Sequence, residues 1–418
     1  MHTNRNYVIV VLILVTFFVI SFLTNILGAL NPSVSASFGL SDTMAGFLPF
    51  SFFIAYGVMS IPAGFMVERF GEKKLMLLAF AISLLGSVLF AGMPSFSVFL
   101  FSLFTIGTGM AILQVVINPL LRISGGEENY AFTSVMAQLV FGAASFVSPK
   151  VYSWLVVGID GGDQSASINF FRSIVPEGMS WVSMYWVFAI LSLLMIALIL
   201  FVSFPKVELN EDEKAGSKES YISLFKNKYV ILYFLGIFAY VGTEQGISYW
   251  MSKFLQQYHG YDFETVGADA VAYFWGLMTI GGILGLILLK ILDSKIVLKI
   301  FTIIAIASLV LALYGPAEIS LYSFMISGFF LSVMYPIIMS LALNSVSKHH
   351  GSFAGILMTG IMGGAVVQLI IGFISDFSSL KVGMLFIFIP LAYILSLAFW
   401  SKPIIRNKTV KLKELLKS

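Results

Sequence analysis

Polar and apolar positions in this chain do not alternate residue by residue; they fall into blocks. Apolar runs such as 7–23 and 182–204 continue far past the length of a buried strand. A membrane-spanning helix needs about 20 consecutive apolar residues. On that measure the blocks predict helices over 7–30, 43–67, 75–93, 97–121, 131–157, 182–204, 229–252, 269–290, 295–314, 317–344, 351–376 and 382–401. A membrane barrel would instead show alternating segments of about ten residues. Residues 205–228 break the pattern, with Glu208, Glu211, Asp212, Glu213, Lys214 and Lys218 in quick succession. The expected fold is an all-α integral membrane protein of twelve transmembrane helices, arranged as two pseudo-symmetric six-helix bundles. The corresponding domains are 1–204, a cytoplasmic linker 205–228, 229–401, and a basic cytoplasmic tail 402–418.

Charge adds an orientation. With the N-terminus inside, 20 of the 24 basic residues fall on the inner side, leaving Lys150, Arg172, Lys253 and Lys381 elsewhere. Inner loops of membrane proteins are enriched in lysine and arginine, so the chain is expected to be a multi-pass protein of the cytoplasmic (inner) membrane with both termini in the cytoplasm. The basic tail can lie on anionic lipid, although a solvated tail obeys the same rule. Composition agrees: 59% of residues are hydrophobic and 11% charged, against about 25% charged in soluble domains. A net charge of +3 calls for no nucleic-acid partner, and the absence of cysteine removes disulfides and thiolate chemistry. The four histidines make no metal-ligand spacing. The first apolar stretch is longer than the 7–15 residues of a secretory signal core, so it reads as a retained helix.

The two halves echo each other weakly. Asn118-Pro119-Leu120 in the fourth block has a counterpart in Tyr335-Pro336-Ile337 of the tenth, and Gly142-Ala143-Ala144 of the fifth in Gly363-Gly364-Ala365 of the eleventh. Internal repeats with interrupted helices are a mark of secondary transporters. Between the second and third blocks, Gly64, Glu68, Arg69, Gly71, Lys73 and Lys74 form a glycine–acid–arginine–glycine–basic loop. It resembles the cytoplasmic loop signature of the major facilitator superfamily, with glutamate where aspartate is usual. That resemblance implies a gating latch at the inner face.

Within that superfamily the chain resembles the fucose–galactose–glucose symporter family. The matching residues are Gly46-Phe47, Ile61-Pro62-Ala63-Gly64, Asn118-Pro119-Leu120, Gln138, Tyr240-Val241-Gly242, Tyr335-Pro336-Ile337, Gly363-Gly364-Ala365 and Gly372-Phe373-Ile374-Ser375-Asp376. The resemblance implies the major facilitator fold, alternating access, a monosaccharide substrate and a coupling ion, with no other cofactor. Two carboxylates of the family's fucose symporters are absent: their positions read Gln114 and Gly28. Their proton route therefore does not carry over.

Glu244 is the acid deepest in any block, about 15 residues into the seventh, or roughly 22 Å at 1.5 Å per residue. Intramembrane acids are expensive and usually functional, so Glu244 is the candidate for ion coupling, by a proton or by sodium. A carboxyl hydrogen-bonded to a neighbouring helix is the structural alternative. Asn25, Gln114, Asn118, Gln138, Gln245 and Gln368, with the rings of Tyr249 and Trp275, are the candidate solute contacts. Amides donate and accept, and aromatic faces suit the C–H faces of a sugar. Each amide can equally serve as an interhelical hydrogen bond, and Asn118 can satisfy backbone freed by Pro119. The alternatives are an exporter of the same superfamily or an uncoupled sugar facilitator. A membrane enzyme would need a catalytic constellation, and none is readable in the spans. A sensor would need a soluble domain, and the largest polar segment has 24 residues. The expected partners are a small sugar and membrane lipid, around a monomer.

Overall fold

The structure, a computed structural model, describes residues 6–126, 130–204, 218–346 and 348–404. Most of the acidic linker and the tail beyond 404 lie outside the described residues.

Twelve helices long and apolar enough to cross a membrane follow one another: α1 (Tyr7–Phe38), α2 (Asp42–Phe70), α3 (Glu72–Gly92), α4 (Phe96–Gly125), α5 (Phe132–Asp160), α6 (Ser180–Phe201), α7 (Lys228–His259), α8 (Phe263–Ile291), α9 (Ser294–Tyr314), α10 (Ala317–Leu343), α11 (His350–Phe377) and α12 (Leu380–Trp400). Every expected block is a helix, and no strand occurs among the described residues. α1, α4 and α7 outrun their expected ends because their last turns carry small or polar residues that an apolar count excludes. Short helices at Ala166–Ile174 and Lys218–Phe225 lie outside the spans. The second belongs to the segment read as linker, so the last part of that linker is helical.

Two of the helix breaks have a proline cause. α10 is interrupted at Ser332–Val333 and α12 at Phe386–Ile387. Pro336 and Pro390 each lie four residues after the start of the break. A proline has no N–H for the carbonyl four residues earlier and clashes with it. α1 is interrupted at Asn25–Ile26, where Ala29 N–H donates to the Ile26 carbonyl at 2.9 Å in a tightened turn.

Apolar side chains such as Leu193, Leu200, Ile287 and Leu311 stand exposed on the outside of the bundle. In water that pattern would be an aggregation hazard; in lipid it is the ordinary surface. The halves meet where α2 packs on α11, α5 on α8, and the second part of α1 on α7. We call the end where α2 turns into α3 the linker end, and the end where α1 turns into α2 the distal end. At the linker end the repeat is visible in single residues. Lys73, second residue of α3, donates to the Leu200 and Val202 carbonyls at the end of α6, at 3.0 and 2.8 Å. Lys295, second residue of α9, donates to the Ser401 carbonyl just past α12, at 2.9 Å. A cation at a helix C-terminus satisfies orphan carbonyls and complements the helix dipole.

Candidate functional site

Halfway along α7, Glu244 is half-buried and accepts a hydrogen bond from the Tyr240 hydroxyl at 2.7 Å. The two residues are one turn apart, so they share a face. The Tyr240 ring lies 5.7 Å from the ring of Tyr335 on α10. Glu244 is thus held by a donor of its own helix, next to the proline-broken helix opposite.

On the neighbouring face of α7, Gln245 is buried, and its Nε2 reaches Asn25 Oδ1 at 3.5 Å. Asn25 sits at the break of α1 and donates to Ser145 Oγ on α5 at 2.8 Å. Ser145 and Ser21 share a 2.5 Å hydrogen bond, and Ser21 also donates to the Phe141 carbonyl at 2.6 Å. A polar chain therefore runs α5–α1–α7 through the middle of the bundle. In α4, Gln114 and Asn118 are both half-buried. Asn118 Nδ2 folds back to the Gln114 carbonyl at 3.2 Å, whereas the carbonyl released by Pro119 is that of Val115.

The remaining candidates are dispersed. Gln138 on α5 is exposed. Gln368 on α11 is fully buried, with neither amide atom hydrogen-bonded among the described residues. The Trp275 indole is buried and its N–H is likewise without a partner there. Tyr249 is buried, and its hydroxyl donates to the Ala45 carbonyl of α2 at 2.6 Å. Of the predicted contacts, the structure brings Asn25 and Gln245 together beside Glu244, keeps Gln114 and Asn118 on one face of α4, and uses Tyr249 as a brace between halves.

That brace belongs to a seal at the distal end that the spacing of residues did not reveal. Lys253 of α7 pairs with Asp42 at the start of α2, Nζ to Oδ1 2.7 Å, and both side chains are largely buried. Lys253 also reaches Ser35 Oγ at 3.4 Å. Asp376 at the end of α11 accepts the N–H groups of Asp42 and Thr43, at 2.8 and 3.0 Å. Ser375 donates to the second Asp42 oxygen. A carboxylate on free N–H groups in the first turn of a helix is a favourable placement. Two glycines let the backbones close. A Cβ on Gly28 would lie 2.1 Å from the Ser248 carbonyl oxygen of α7, and one on Gly372 would lie 2.3 Å from that of Asp42. In this conformation no side chain fits at Gly28.

A signal for the seal did exist. The four basic residues that broke the charge rule are all engaged. Lys150 pairs with Asp269 across α5 and α8 at 2.5 Å. Lys253 pairs with Asp42. Arg172 donates to the Gly158, Ile159 and Asp163 carbonyls and to Asn169. The Lys381 ammonium lies within 5.9 Å of the centroids of Phe254, Tyr258 and Tyr314.

At the linker end, Glu68, Arg69 and Lys74 are exposed and Gly71 closes α2 with its N–H on the Val67 carbonyl, 2.8 Å away. Arg69 lies over the Phe70 ring, 5.3 Å from its centroid. Gly64 is half-buried one turn before Glu68. Phe65 on the same turn lies 6.0 Å from the ring of Tyr221 in the Lys218–Phe225 helix. Tyr221 also reaches Ser352 of α11, and burial, with Glu68 nearby, pushes its hydroxyl up. The latch residues therefore border a small helix wedged between α2 and α11.

Two six-helix halves, joined by a linker and sealed at one end around a polar, acid-bearing centre, define a membrane transporter. The chain belongs to the Major Facilitator Superfamily, whose family profile matches residues 12–368. It is 30% identical over 383 residues to a glucose/galactose transporter of Brucella abortus biovar 1 (strain 9-941), covering 90% of each chain. It is 26% identical over 396 residues to the L-fucose-proton symporter of Escherichia coli (strain K12), covering 89% of this chain and 88% of that one. The crystal structure of the E. coli fucose:proton symporter superposes with a TM-score of 0.67 at 21% identity, over 94% of this chain and 98% of that one.

Proposed function

We propose that this protein takes up a monosaccharide together with a proton or sodium ion, by alternating access across a cytoplasmic membrane with both termini inside. The observation that carries the proposal is Glu244, a membrane-embedded carboxylate held by Tyr240 at the level of the Asn25–Gln245 bridge. Ion-driven uptake needs a group whose affinity for the ion differs between the two access states. A carboxylate that gains and loses water as the halves rock is such a group. The amides around it suit a hydroxyl-rich solute, and the names of the relatives favour a hexose or deoxyhexose. In this reading the distal seal is the outer gate, the latch of Gly64 to Lys74 guards the inner one, and the carrier works as a monomer.

The test is uptake of labelled glucose, galactose and fucose by purified protein in liposomes, with proton and sodium gradients imposed separately. The expected result is saturable uptake of at least one of them and concentration under one gradient. In Glu244→Gln, concentration is lost while exchange of the same sugar persists. No saturable flux of any monosaccharide would overturn the substrate reading. A mutant that concentrates sugar as wild type does would remove Glu244 from coupling and leave an uncoupled facilitator.

A further inference from the structure

Away from the centre, a cavity of about 600 Å³ opens at the linker end between the start of α9, the end of α10 and the end of α12. Three lysines line it, Lys295, Lys299 and Lys402, against one acid, Asp293. Three positive charges less one negative leave two positive. The acid is also partly engaged, since its Oδ1 accepts the Lys295 backbone N–H at 2.8 Å and caps α9. Lys295 spends one donor on the Ser401 carbonyl and keeps two. Lys299 lies over the Phe399 ring, 4.8 Å from its centroid. Ser340 and Asn344 add neutral hydrogen-bonding groups to the wall.

The rest of the wall decides what kind of anion belongs there. Ile296 is 50% exposed and Phe399 61% exposed, and Ile300 and Ile303 continue the same apolar face up α9. These side chains belong to the surface that only lipid can cover. A soluble phosphate would use the lysines and leave this strip unused, whereas a phospholipid uses both. The chain's own tail does not supply the charge, because residues 405–418 carry Arg406, Lys408, Lys411, Lys413 and Lys417 against Glu414. From the joined basic cavity and apolar strip we propose a site for one anionic phospholipid, its phosphate among Lys295, Lys299 and Lys402 and its acyl chain along Ile296 and Phe399. Basic pockets between helix ends are suited to such headgroups. The bound phosphate would also bridge α9 to α12, next to the Lys295 contact that ties the ends of this half together. The reading of this end as cytoplasmic matters only for which leaflet supplies the lipid.

The full-length protein is to be purified in detergent and examined by native mass spectrometry with short-chain phosphatidylglycerol, short-chain phosphatidylcholine or inorganic phosphate added. The expected result is retention of one phosphatidylglycerol with at least a tenfold preference over phosphatidylcholine, not competed by inorganic phosphate. Lys295→Gln/Lys299→Gln/Lys402→Gln should remove the preference, and Ser340→Trp, which fills the cavity and spares the charge, should do the same. Lys381→Gln, at the distal end, should leave it intact. Equal retention of both lipids, or an unchanged preference in both cavity variants, would overturn the proposal. Competition by inorganic phosphate at equal concentration would reassign the cavity to a soluble anion and overturn it also. These binding readouts do not depend on sugar flux, so they stand or fall separately from the transport reading.

Discussion

Lys253 at the distal end donates to Asp42 in the opposite half, whereas Lys73 and Lys295 at the linker end donate to carbonyls of their own halves. The same residue type therefore locks the halves together at one end and stiffens each half by itself at the other. A buried ion pair is sensitive to the loss of either partner, by about 3–5 kcal/mol. A lysine on exposed helix-end carbonyls is worth about 0.3–1 kcal/mol. The distal end can thus behave as a two-state catch. The linker end holds across the halves by softer means, the Tyr221 wedge against Phe65 and Ser352.

The comparison breaks most completely at Gly28. Any side chain there meets the Ser248 carbonyl, so Gly28→Val should prevent distal closure. Because the chain has no cysteine, spin labels at Leu40→Cys and Tyr261→Cys report the distal opening directly. The closed-distance population should fall from dominant to minor, a shift of about 5 kcal/mol or more, and transport should cease. An unchanged distance distribution would show that the backbones can separate locally without opening the gate.

Next in size is the ion pair. Lys253→Met leaves Asp42 buried without its cation and should open the distal end by about 3 kcal/mol or more. Asp42→Leu added to it should recover part of the closed population, since two apolar groups replace two charges. If the double variant is as open as the single one, the pair contributes no coupling and the glycine contacts alone make the seal.

A smaller effect belongs to Tyr240→Phe, which removes the hydroxyl from Glu244. A hydrogen bond to a charged group is worth about 1.5–3 kcal/mol. Gradient-driven uptake should therefore fall by about tenfold or more, because Glu244 loses the donor that holds its carboxylate in place. Unchanged gradient-driven uptake would mean that the Tyr240 hydroxyl does not support Glu244 in transport. Smallest on binding is Arg69→Ala, which should slow turnover strongly while solute affinity stays within a few-fold. Loss of binding with turnover spared would reverse the roles of the two ends.

The spans were legible because a chain in lipid has to close every backbone hydrogen bond within its own helix, and apolar blocks are the consequence. The break in α10 was foreshadowed by Pro336, whereas Pro390, which acts in the same way on the carbonyl four residues back in α12, was not singled out. The loop from Gly64 to Lys74 was readable as a motif, and Glu244 stood out by the rarity of acids inside an apolar block. The role of Asn25 was only half visible: its amide was expected at the site, but its bonding to Ser145, 120 residues away, was not.

What the sequence alone determined was everything carried by local pattern: twelve helices, two halves, a basic linker end and one acid deep inside an apolar block; that the acid sits halfway along its helix came from the structure. Which of those features meet was decided only by the tertiary structure. Asp42 and Lys253 are 211 positions apart in the chain. Their pairing depends on Gly28 and Gly372 allowing backbones to close to contact distance. A block pattern records that a residue is surrounded by lipid or protein; it does not record the direction in which its side chain points. Four basic residues stood on the wrong side of the charge rule, and folding gave each of them a partner there: an acid, a carbonyl or an aromatic face.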